Sequence, residues 1–98
     1  MVNNVAWSKK SLQQMQEIIG YLRTEASDQA ADNFIAVFRK KLESVKLQPG
    51  IGRKSPTSRT IQFVNFGKHH QLFYRMNGLT LHIVQIWDMR RDPKKRKY

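Results

Sequence analysis

Apolar positions recur with two different periods along this chain, and the change of period divides it in half. After Trp7 and Ser8, residues Leu12, Met15, Ile19 and Leu22 return every three or four positions, widened by Ile18, as on one face of a helix. Ser8 is the expected N-cap, because its hydroxyl can accept an unpaired amide proton of the first turn. The pattern pauses over Thr24–Ser27, where Ser27 or Asp28 can cap a second helix. That helix gathers Ala31, Phe34, Ile35, Phe38, Leu42 and Val45 on one side and leaves Arg39, Lys40 and Glu43 outside. A short connection between two amphipathic helices makes a helical hairpin, and neither stripe can be buried without a further partner. Residues 2–7 read as a short strand leading in.

Gln48-Pro49-Gly50-Ile51-Gly52 closes the second helix, since proline lacks the amide proton and glycine favours the turn. A polar loop through Lys54, Pro56 and Ser58 is expected next, then three strand-like segments at 59–66, 69–76 and 79–87. Asn77-Gly78 suits a two-residue type I′ turn, in which both central residues need positive φ. Gly67-Lys68 fits a type II′ turn, and Phe66 to His70 fits a longer loop equally well. The prediction is an α+β domain spanning 1–98. It has an N-terminal strand and a helical hairpin packed on one face of a mainly antiparallel four-stranded sheet, in the order β-α-α-β-β-β, with a basic tail over 90–98.

A two-residue turn at Asn77-Gly78 sets Met76 opposite Leu79, Tyr74 opposite Leu81 and Leu72 opposite Ile83. That apolar face is expected against the helices, with Gln85 and His70 prolonging it. The other face then carries Arg75, Phe73 and His82, a cation, a ring and an imidazole able to stack a base and grip a phosphate. If Gly67-Lys68 is the turn, Arg59 shares the side of Ile61 and Phe63, which places it toward the helices.

Charge sharpens this picture. Of the +11 net charge, residues 1–48, with seven basic and five acidic side chains, carry +2; residues 49–98, with eleven and two, carry +9. So lopsided a field favours a polyanionic partner, nucleic acid or an acidic protein segment. The absence of cysteine excludes disulfides, thiolate zinc sites and a cysteine nucleophile. His69 and His70 are adjacent and point to opposite faces of a strand, so no metal site is expected, and no phosphate-cradling glycine loop suggests a cofactor. No stretch approaches eighteen apolar residues, and the first ten residues contain no apolar signal core. A soluble cytoplasmic protein without membrane association is therefore expected.

Several strings in order resemble the RelE/ParE superfamily of type II toxins, which includes proteins described as plasmid stabilisation factors. They are Ala6-Trp7-Ser8, Ala30-Ala31, Leu47-Gln48-Pro49-Gly50, Arg59, Leu72-Phe73-Tyr74-Arg75 and Ile86-Trp87-Asp88-Met89-Arg90-Arg91-Asp92-Pro93. The resemblance implies a growth-inhibiting toxin neutralised by a cognate antitoxin, in a hetero-oligomer where a flexible, often acidic segment wraps the toxin. One branch cleaves messenger RNA on the ribosome and the other poisons DNA gyrase. RelE-like chains usually have Arg where Gln71 stands, and some end in His-Tyr where this one ends Arg96-Lys97-Tyr98. ParE-like chains match better through Leu72-Phe73-Tyr74-Arg75 and the Arg-Arg-Asp close, yet commonly read His-Gly in place of Asp88-Met89.

The favoured expectation is a ParE-like toxin that binds a target such as gyrase through Arg75, Phe73, His82, Arg59, Arg90 and Arg91. The alternative is a metal-independent, ribosome-dependent endoribonuclease. In that case Arg90 and Arg91 supply cations, and His82 or Tyr98 carries the proton. A third reading is a small nucleic-acid-binding module.

Overall fold

Serine hydroxyls open both helices. Ser8 accepts the Ser11 N–H, and Ser27 the Ala30 N–H, each at 3.0 Å, so an orphan donor at each N-terminus is satisfied where periodicity begins. In the computed structural model, which describes residues 2–90, these caps start α1 (Lys9–Glu25) and α2 (Asp28–Leu47). Arg23 reaches over their short connection to Asp28 and Asp32 at 3.2 and 3.3 Å. A leading strand β1 (Asn4–Trp7) precedes them. A 3-10 turn at Pro49–Ile51 follows, then β2 (Arg53–Ser55), β3 (Ser58–Phe66), β4 (His70–Asn77) and β5 (Thr80–Asp88). Among the described residues no helix is long and apolar enough to cross a membrane.

The sheet has five strands, not four, in the order β1-β5-β4-β3-β2, with β1 parallel to β5 and the other pairs antiparallel. The added strand, β2, lies in the expected polar loop. Three polar residues carry no alternation to read, and Arg53 and Lys54 are recruited by pairing with Phe63 and Gln62. The hairpin covers one face. Met15, Phe38 and Val45 meet Phe66, Leu72, Tyr74, Leu81, Ile83 and Ile86 there, and Trp7 packs on Phe38 with ring centroids 5.4 Å apart.

The last hairpin turns one residue later than Asn77-Gly78 suggested. Asn77 pairs with Thr80 and Met76 with Leu81, so Gly78 and Leu79 form the turn. Of the residues at this turn only Gly78 has positive φ (60°); Asn77 stays in β4 and Leu79 is exposed. The partners of Met76 and Tyr74 move by two positions, so Tyr74, Leu81 and Ile83 keep their face, as Leu72 does. The preceding connection is the longer alternative, since Phe66 pairs with His70 and leaves Gly67, Lys68 and His69 between them.

A bulge then changes the face of the rest of β5. Tyr74 pairs with Ile83 but Phe73 pairs with Gln85, leaving Val84 as the extra residue. Ile86 therefore continues the helix-facing side, while Gln85, expected there, joins Phe73's column. Here β1 has ended opposite Ile83, and α1 takes over as β5's neighbour. Ser8 Oγ donates to Val84 O and Ser11 Oγ to Ile83 O, both at 3.0 Å, and Ile86 N–H donates to Gln14 Oε1 at 2.8 Å.

Ile61, Phe73 and Trp87 form a second cluster with Phe63 and Val84 on the face away from the helices, Phe63 stacked on Phe73 at 5.3 Å. Arg59, expected on the helix side with Ile61 and Phe63, shares this outer face, because Val64 and Phe66 are the β3 residues that join the helical core.

Candidate target-binding surfaces

Two surfaces carry the candidate residues, and they lie on opposite sides of the sheet. The outer one is built by strand alternation. Arg75 and His82 are direct cross-strand partners near the Gly78 turn, both half-exposed. Arg53, paired with Phe63, and the exposed Arg59 stand on the same face at the β2–β3 end. Three guanidinium groups and an imidazole thus border the apolar residues Ile61, Phe63 and Val84. Phe73 is fully buried at the centre, so its ring offers no free face for stacking. Gln85 is also buried there, and its Nε2 has no hydrogen-bond partner among the described residues.

Arg90 belongs to the other surface. His82 and Asp88 are six residues apart on β5, about 20 Å, and beyond Asp88 the chain bends toward the helical hairpin. Met89 N–H donates to His69 O at 2.6 Å, and Asp88 accepts from Arg90 N–H, Nε and Nη2 at 2.9, 3.0 and 2.7 Å. The bend closes one end of a groove of about 990 Å³. Ile18, Tyr21 and Leu22 of α1, Phe34 and Val37 of α2, and Ile86 of β5 line it, with Lys68 and Arg90 at its rim. Arg91 and Tyr98 lie outside the described residues, as does the basic tail after Arg90.

The charges of this groove are organised around Asp88. Hydrogen bonds from Arg90 hold its carboxyl down at about 2, against a burial that pushes it up. The same contact raises the Arg90 guanidinium above its ordinary value. His70 sits behind them, its ring 4.9 Å from Phe34 in an edge arrangement and its Nε2 4.0 Å from Asp88. Burial lowers its pKa; Asp88 opposes that, while Arg90 and His69 reinforce it. A neutral imidazole in the groove wall is the result. Among the described residues no three His, Asp or Glu side chains gather closely enough to hold a metal ion.

Reading the sequence alone missed Arg53 and the whole groove. Arg53 stood in a segment with no strand signal. In the groove, Phe34 was legible as a stripe residue, and the Asp88-Met89-Arg90 spacing, which suits a side chain gripping the amide two residues on, was the one local clue.

Residues 5–93 match the model of a family described as the ParE toxin of the type II toxin–antitoxin system parDE. Two solved structures share the fold. One, titled as a chromosomal ParDE toxin–antitoxin system from P. aeruginosa, gives a TM-score of 0.72 at 11% identity, over 87% of this chain and 94% of that chain. The other, a YoeB/ParE toxin from Agrobacterium tumefaciens, gives 0.61 at 17% identity, over 88% of this chain and 98% of that one. No curated protein sequence matches the chain.

Proposed function

This chain belongs to the ParE toxin family of type II toxin–antitoxin systems, and from that membership we propose that it arrests growth by binding DNA gyrase and is neutralised by its cognate antitoxin. The observation that carries the reading is the outer sheet face, an apolar centre bordered by Arg53, Arg59, Arg75 and His82. An apolar centre within an arginine-bearing polar border is the anatomy of a protein-docking surface. Cleavage of RNA through its 2′-hydroxyl asks for a proton carrier and cations converging on one phosphate. His82 and Arg90, the described members of that set, stand at opposite ends of β5, which favours binding over catalysis.

The reading is tested by inducing the chain alone, with its antitoxin, and as Arg75→Glu. Alone it is expected to block replication and raise a DNA-damage response before translation falls, and to inhibit supercoiling by purified gyrase. Arg75→Glu is expected to weaken that inhibition about tenfold or more, the scale of a lost rim arginine turned repulsive. Harmless expression would sink the toxin reading, while early loss of translation with cut messages would replace gyrase by the ribosome.

A further inference from the structure

We propose that the outward face of α2 pairs with α2 of a second copy of this chain, antiparallel about Ala36, with Asp32 of each copy set against Lys40 of the other. This surface is separate from the outer sheet face and from the groove. It owes nothing to the toxin reading, so either can fail alone.

The stripe lies opposite the core. Phe38 is buried against the sheet, and two residues in either direction is a turn of about 200° around a helix, so Ala36 and Lys40 point away from it. Asp32 stands one turn before Ala36 on the same line. All three are exposed. Phe34 and Val37, which line the groove, are about 100° or more around the helix from that line.

Charge decides what fits there. The first half of α2 holds Asp28 and Asp32 and no cation, while the second half holds Arg39, Lys40, Lys41 and Lys46 against Glu43. Acid at the start and base at the end suit the helix dipole, but that effect fades beyond the first and last turns. It accounts for Asp28 and Lys46, and leaves Asp32 and Lys40 unexplained. Their shared neighbour four positions away is Ala36, so the helix does not pair them itself. Glu43 is held by Lys46 at 3.2 Å, and Lys40 has no carboxylate partner among the described residues. Arg23 reaches one oxygen of Asp32, at 3.3 Å, and the Asp32 side chain stays 67% exposed.

An acid, a small residue and a base at equal spacing are self-complementary under a twofold axis. An antiparallel copy centred on Ala36 makes the Asp32–Lys40 contact twice, about 12 Å apart. The same symmetry sets Arg39 against Asn33 and Glu43 against Gln29, so no like charges face each other. The small Ala36 side chain lets the two helix axes approach to about 8 Å. Nucleic acid would meet Lys40 but be repelled by Asp32 and Asp28 on the same line.

The net charge of +11 does not oppose this pairing strongly. Arg53, Arg59 and Arg75 stand on the far side of the sheet, so those of two paired copies are separated by both helical layers, well beyond the screening length of about 8 Å at physiological salt. Contact along one helix per copy buries less than the ~1,600 Å² of a standard interface, and a dissociation constant of about 10–100 μM is expected. Each copy keeps its outer sheet face open.

Sedimentation of the full-length chain, freed of antitoxin, tests the pairing across concentration at about 0.05 M and about 0.5 M salt. A monomer–dimer equilibrium that weakens with salt is expected. Asp32→Lys and Lys40→Asp are each expected to weaken it about tenfold or more, and the double exchange Asp32→Lys/Lys40→Asp to restore it to within about threefold. Because the chain has no cysteine, Ala36→Cys is expected to give a disulfide-linked dimer under mild oxidation, and Leu79→Cys, at the exposed β4–β5 turn, to give little. Melting temperatures confirm that each variant is folded. A chain that stays monomeric at about ten times the expected dissociation constant overturns the pairing. So does a dimer indifferent to both single changes, or one that the double exchange fails to restore. Single changes that spare self-association but weaken antitoxin binding assign the stripe to the antitoxin, and also overturn it.

Discussion

Tyr74 shows how much one hydroxyl can organise. The ring is fully buried in the helical core, yet its oxygen reaches the turn that ends α2, donating to Pro49 O and accepting from Gly52 N–H at 3.0 Å. Burial raises its pKa, so it stays a neutral phenol able to do both. Gly52 is required by the same contact, since a Cβ there would overlap the Tyr74 hydroxyl. Tyr74→Phe keeps the ring and strands both backbone groups. A cost of about 1–3 kcal/mol is expected, read from the shift in denaturant midpoint at unchanged slope. The Leu-Phe-Tyr-Arg string was legible as strand, and Tyr74 as core. That its hydroxyl would seek Pro49, twenty-five positions earlier, was not, because nothing local links them.

At the scale of elements, the joint between α1 and β5 is the least ordinary. A bulge at Val84 and the end of β1 leave β5 with backbone groups that no strand takes, and Ser8, the N-cap of α1, with Ser11 and Gln14 of α1, take them instead. Their spacing of three keeps them on one helical face. Gln14→Ala removes the side-chain acceptor of the Ile86 amide, whereas Gln14→Glu retains one. Hydrogen exchange at Ile86 is expected to speed up in the alanine variant, with stability lower by about 1–3 kcal/mol, and to stay near wild type in the glutamate variant. The apolar stripe announced that α1 packs on the sheet. It did not announce a bulge, because Val84-Gln85-Ile86 alternates no differently from a regular strand until its partner is known.

For the whole molecule, acid acts through the groove. The native fold keeps His70 neutral, so the unfolded chain binds its proton more readily; stability is full above the ordinary value of 6.5 and declines as pH falls below it. Asp88 adds a second stage. Its carboxyl titrates near 2 in the fold against 3.8 when free, so its contribution is present above 3.8 and lost as pH falls toward 2. A melting curve against pH is expected to drop in both windows, and Asp88→Asn to abolish the lower step, a loss of order 1 kcal/mol given Arg90's exposure to solvent. A chain already at +11 gains further self-repulsion as its seven carboxyls protonate, which deepens the same decline.

Periodicity and caps alone determined two helices capped at Ser8 and Ser27, the three long strands after them and the side that β4 turns to the hairpin, because these depend on neighbours two to four positions apart. Composition alone determined the excess of cations in the second half. Long-range pairing decided the rest. Arg53–Ser55 became a strand only against β3, and Gln85 changed face only through the bulge opposite Phe73. Arg90 parted from Arg75 and His82 because β5 separates them and Asp88 bends the chain toward the helices. Side chains grouped by charge in the sequence are sorted in the fold by strand length and register, and that sorting made two surfaces from one basic half.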